Sequence, residues 1–142
     1  MPEGYQIDVA RRLVMSRAWG VFSTAEFLAH FEAVVTDPAF DPTFAQLVDL
    51  RDVTSFNLDT GTLRAKAGAS FFHPGVRRAI VAPSDLGFGL ARMFGTYAES
   101  ASQTIAVFRA IDEAEHWLGL DATAARASAT SRAQATEHRP NG

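Results

Sequence analysis

Three short apolar runs constrain the fold of this chain more than any other feature: Ala45–Leu50 (AQLVDL), Arg77–Ala82 (RRAIVA) and Thr104–Phe108 (TIAVF). Each has strand length, and their apolar character is continuous rather than alternating. That pattern belongs to strands covered on both faces, as in a sheet flanked by helices. Helical segments fall between the runs, near Asp59–Ala69 and Asp85–Glu99. Parallel strands need such crossovers, so the middle of the chain reads as strand, helix, strand, helix, strand.

The flanks complete the pattern. Tyr5, Ile7 and Val9 alternate with polar residues, Leu13–Phe22 is rich in Val, Trp and Phe, and Ala10-Arg11-Arg12 between them predicts the turn of a hairpin. Ser23 stands three residues before Glu26, the spacing of a capping box, and the helix that follows lines up Phe27, Phe31, Val34 and Val35 on one face. Asp37-Pro38 ends it, and Phe40–Thr43, which contains Pro42, reads as a loop. A last helix over about Asp112–Leu118 turns Ala114, Trp117 and Leu118 inward and stops at Gly119. The expected fold class is α/β: a mixed β-sheet of about five strands flanked by about four helices, in the order β-β-α-β-α-β-α-β-α.

From Asp121 the sequence changes to Ala, Thr, Ser and Arg, with no large apolar residue after Leu120. The expected organisation is therefore a domain over residues 1–120 and a tail over 121–142. Such a tail buries too little surface to offset its ordering entropy, so it is expected to be disordered alone, or ordered as a helix by a partner.

Composition narrows the function classes. A length of 142 residues leaves room for one domain, and 11 phenylalanines against two tyrosines and two tryptophans point to a core of large apolar rings. The net charge of −3 and the single lysine, Lys66, offer no electrostatic footprint for nucleic acid. Zero cysteines exclude disulfides, thiolate metal sites and cysteine nucleophiles. No apolar run approaches the ~18 residues of a membrane span, and Met1-Pro2-Glu3-Gly4 opens no signal peptide. A soluble, cytoplasmic protein is expected, and abundant Ala and Arg with one Lys fit a GC-rich bacterial genome.

No catalytic constellation is complete. Asp59-Thr60-Gly61 has the short signature of aspartic proteases, but that chemistry needs two such loops, and in this chain Asp59 and Thr60 read as helix caps. On Asp49-Leu50-Arg51-Asp52, Arg51 stands where a second carboxylate would be needed, leaving Asp52 to cap a turn or reach a ligand. The histidines show no metal-ligand spacing; His30 and His116 fall on helices at their solvated edges, and His73, in the loop Phe71–Gly75, is the one best placed to act. Gly87-Phe88-Gly89 is a lone GxG that signals either close packing of its helix or the approach of a ligand. No cofactor or metal is expected.

Trp19-Gly20-Val21-Phe22, Leu47-Val48-Asp49-Leu50-Arg51, Phe88–Phe94, Val107-Phe108-Arg109 and Ala114–Gly119 together resemble the STAS-type domain of bacterial anti-sigma factor antagonists, in its SpoIIAA-like (STAS/SEC14-like) branch. The likeness spans residues 5–120. In regulatory domains of this type, Asp-Leu-x-x-Val leads to Asp-Ser-Ser-Gly, whose first serine is phosphorylated. Asp49–Val53 matches the strand, but Leu58 occupies the serine's place in Asn57–Gly61, so the resemblance implies the scaffold without its switch. The SEC14 side implies an apolar ligand, for which Phe56, Phe71, Phe72, Phe88 and Phe94 are either pocket or core.

Three expectations follow. The first is a non-catalytic regulatory or protein-interaction module, docking a partner protein or a second copy through Ser55, Asn57, Asp59, Thr60 and the neighbouring Ser84–Gly89. The second is a carrier of a small apolar molecule, with an enclosed cavity of roughly a few hundred Å³ beside Arg92 or Arg51. A third, an enzyme, requires Asp49, Arg51, Asp85 and Arg92 to meet in one cleft. With His73 and Gly89, these residues make up the candidate surface.

Overall fold

A hairpin followed by three crossovers builds one sheet, seen in a computed structural model that describes residues 3–69 and 71–120. Strand β1 (Glu3–Asp8) pairs antiparallel with β2 (Leu13–Ser23), and β3 (Ala45–Asn57), β4 (Arg77–Val81) and β5 (Thr104–Phe108) continue parallel to β2. The spatial order is β1-β2-β3-β4-β5. The helices are α1 (Thr24–Thr36), α2 (Thr60–Ala67), α3 (Asp85–Glu99) and α4 (Ile111–Trp117). The five-stranded mixed sheet with four helices is the architecture that the apolar runs predict. The tail over residues 121–142 lies outside the described residues.

Local chemistry sets the boundaries. Ser23 and Glu26 close the capping box reciprocally at α1, while Asp59 and Ser84 cap α2 and α3 by accepting from Thr62 N and Gly87 N. In the β1–β2 turn, Asp8 takes the backbone and side-chain N–H of Arg11, and Arg12 closes it with φ 55°.

Strand order then decides which faces are covered. Right-handed crossovers between parallel strands taken in sequence all stack on the same side of a sheet. Accordingly α1 packs on β1 and β2, α3 on β5 and β3, and α2 on α3, while α4 turns back onto the other face over β3, β4 and β5. That second face holds a smaller core, Leu13, Leu47, Ala79 and Val81 under Ala114 of α4. Near β1 and β2 it is open, with Trp19 exposed. Two-sided cover is thus confined to the β3–β5 half of the sheet.

Strand β3 also runs further than its apolar segment. It pairs with β4 only as far as Asp49↔Val81, then follows β2 alone to Ser23↔Asn57. Val53, Thr54 and Phe56 suit an extended chain, and the 11 residues of β2 supply the partner. Asp52 therefore lies within a strand, paired with Arg17 at 2.8 Å, instead of capping a turn. The β2–β3 register slips at Arg17/Trp19 and again at Gly20/Val21. Gly20 meets the second slip with φ 66°, a conformation that costs glycine little.

Candidate functional site

Because α1 and α3 share one face of the sheet, α1 over the β1–β2 edge and α3 toward the β5 edge, the centre lies beneath a gap between them. Val48, Leu50 and Ile80 form its floor and Leu63 of α2 contributes to its wall. Phe27 and Phe94 meet edge to face across it, with centroids 6.1 Å apart. The result is an apolar pocket of about 110 Å³. Leu58 is part of its wall. Phe56 and Phe94 line it too, Phe72 is buried in the neighbouring cluster, Phe88 lies under Arg109, and Phe71 is exposed. Of the five rings, two thus line the pocket, one is core, and Phe71 and Phe88 belong to neither.

One end of this pocket is polar. The four buried polar side chains among the described residues are Ser16, Gln46, Arg78 and Gln103, and they form one hydrogen-bonded row. Arg78 Nε donates to Gln46 Oε1 (3.1 Å) and Nη1 to Gln103 Oε1 (3.2 Å); Gln103 Nε2 donates to the Phe72 carbonyl (3.0 Å). Gln46 Nε2 donates to Ser16 Oγ (3.1 Å), which lies 2.8 Å from His30 Nε2, and His30 Nδ1 is 3.3 Å from Glu3 Oε1. With Ser16 accepting from Gln46, its hydroxyl donates to Nε2, and Nδ1–H then points at the carboxylate. The row crosses the sheet from a guanidinium to a carboxylate through three neutral relays.

The electrostatics follow burial. Arg78 is 8% exposed, and desolvation lowers its pKa to about 10, so it stays charged at neutral pH. Phe72 lies under the guanidinium, 4.2 Å from Cζ to the ring centroid. Burial also holds the His30 imidazole below its ordinary range, against the opposing pull of the Glu3 carboxylate. This ring is inside the fold, not at a solvated helix edge, because Tyr5 and Ser16 lie against it.

The expected site residues separate into groups. Asp49 and Arg51 stand on the face opposite the pocket, in a groove that also touches Trp19 and Glu115. Arg51 grips Asp49 through its backbone N–H (3.0 Å), Nε (2.9 Å) and Nη2 (2.8 Å). Burial raises the Asp49 pKa, but these bonds outweigh it and hold the carboxyl below its usual range. Asp85 and Arg92 belong to α3; Asp85 pairs with Arg109 at 2.8 Å and Arg92 reaches over Phe88. The two carboxylates and two arginines do not meet in one cleft. Between the segments Ser55–Thr60 and Ser84–Gly89, Phe56 packs against Gly87. A Cβ on Gly87 would come within 2.9 Å of that ring, so close packing explains this glycine, whereas Gly89 is exposed with nothing within 4 Å. His73 is exposed in its loop. Among the described residues no group of three or more His, Asp or Glu is placed to hold a metal ion, and no helix is long and apolar enough to cross a membrane.

Arg78, Gln46 and Gln103 stand outside the candidate surface expected from sequence, although a signal exists: Gln46 and Arg78 are polar residues inside runs otherwise suited to burial. The charged wall of the pocket is Arg78 in place of the expected Arg92 or Arg51.

The fold so defined is a SpoIIAA-like α/β sheet. A solved structure of an uncharacterised protein from Shewanella loihica PV-4, from the DUF3478 family and described as having a SpoIIAA-like fold, matches with a TM-score of 0.53 and 17% sequence identity. The match covers 82% of this chain and 93% of that one. No protein-family model and no curated protein matches the sequence.

Proposed function

We propose that the domain is a non-catalytic binding module that holds a small apolar molecule between its helix layer and its sheet. The observation that carries this reading is Leu58. Where the regulatory domains it resembles have a phosphorylatable serine, this chain has a leucine forming part of the pocket wall. A position suited in those domains to a charged modification serves apolar contact in this one. The separation of Asp49 and Arg51 from Asp85 and Arg92 supports a non-catalytic role. An apolar cavity of about 150 Å³ admits benzene, so a pocket of about 110 Å³ suits a branched aliphatic group or, with slight movement of its rings, an aromatic one.

Titrating the ¹⁵N-labelled domain with toluene tests this. Amide shifts are expected around Leu58, Leu63, Ile80 and Ala91. Ala91→Leu, which fills the pocket from α3, is expected to abolish them and leave the spectrum folded. Scattered surface shifts, or equal shifts in the filled variant, would overturn the reading.

A second reading, docking of a partner protein, is favoured by the exposed Leu86 (60%) at the start of α3, beside the Phe56–Gly87 contact. Leu86→Glu should then abolish retention of that partner from a lysate of the native host; unchanged retention would sink it.

A further inference from the structure

We infer that the pocket takes a small apolar carboxylic acid as its anion, with Arg78 as the carboxylate anchor; this rests on the pocket reading above and adds the charge of the ligand. A guanidinium has five N–H donors. Two of those on Arg78 are used, by Gln46 and Gln103. The remaining three find no acceptor in the hydrogen bonds of the described residues, and none of the ion pairs among those residues includes Arg78. The carboxylate to which the guanidinium is linked, Glu3, stands at the far end of the row beyond Gln46, Ser16 and His30.

A buried cation with unfilled donors is stabilised by an anion delivered into the same space. Arg78 lines the apolar pocket, so a ligand with an apolar body and an anionic end meets both requirements at once. Size and charge narrow the class. A carboxylate is planar, matches the guanidinium fork and carries one negative charge for one positive charge. In a pocket of about 110 Å³ it leaves room for a tail of a few carbons. A phosphate would take more of that volume and bring up to two charges. His30 adds no second cation at neutral pH, since burial keeps its ring neutral.

The test compares isovalerate and benzoate with isovaleramide and benzamide, by calorimetry on the full chain at pH 7. Each acid is expected to bind at least tenfold more tightly than its amide. In Arg78→Met the ratio is expected to fall to about one, with amide binding retained. If that variant fails to fold, the Nε–Hε resonance of Arg78 in the native chain decides: it is expected to move with isovalerate and stay in place with isovaleramide. Acids and amides binding equally in the native chain, an acid preference that survives Arg78→Met, or an Nε–Hε resonance indifferent to isovalerate would each overturn the proposal and leave the apolar pocket standing. If neither acids nor amides bind and toluene also fails, the pocket reading itself falls.

Discussion

Gly87 and Gly89 lie two residues apart in one helix, yet they face opposite demands. Alanine at 89 enters open space and gains helix propensity, about 1 kcal/mol. Alanine at 87 drives a methyl into Phe56 and Ser84 Oγ, at 2.9 and 3.0 Å, and overpacking of this kind costs about 1–3 kcal/mol. Urea denaturation should therefore show Gly89→Ala more stable than the native chain and Gly87→Ala less stable. His30 provides a pH signature. Its folded-state pKa lies below the unfolded value of 6.5, so the unfolded chain takes up its proton first as the pH falls. The stability associated with the neutral ring is fully present above about pH 6.5 and is lost as the pH drops through the lower folded value. Lowered carboxylates such as Asp8, Asp37 and Asp59 add their losses from near their ordinary range downward, so the first decline belongs to the ring. In melts between pH 7 and 5, His30→Gln should flatten this decline; an unchanged slope would assign it elsewhere.

Among elements, helix α1 shows how far a local signal reaches. Ser23 and Glu26 satisfy each other's backbone N–H groups, so Ser23→Ala should cost about 1 kcal/mol in chemical denaturation. The element order was legible because hydrophobic periods, caps and prolines act within a few residues. The end of β3 was not. Arg51–Asn57 lacks a continuous apolar run and extends because β2 lies alongside it, information that is absent from the segment itself. Ser55 and Asn57 thus stand on the end of β3, just ahead of α2.

Across the whole molecule, protection should follow cover. Strand β4 has a paired strand on each side, and Ala79, Ile80 and Val81 are buried. Beyond Leu50, β3 has a partner on one side only. Amide hydrogen exchange is expected to be slowest in β4 and faster over Arg51–Asn57; the reverse order would mean that the two-stranded extension is the rigid part of the fold. The same layout makes the pocket, since a sheet whose three crossover helices share one face leaves its centre covered by the gap between the outer two.

By itself the sequence determined the kinds and order of the elements, the caps of α1 and α2, and the mixed α/β class. It left Gly87 open between packing and ligand approach, and contact with Phe56, 31 residues earlier in the chain, decided for packing. The polar row was decided by tertiary structure alone. Glu3, Ser16, His30, Gln46, Arg78 and Gln103 come from five strands or their ends and one helix, and no two of them are neighbours in sequence. Each comes from a different segment of the chain. They become a connected row because sheet pairing brings distant strands within hydrogen-bond reach and burial leaves their polar groups mainly one another as partners.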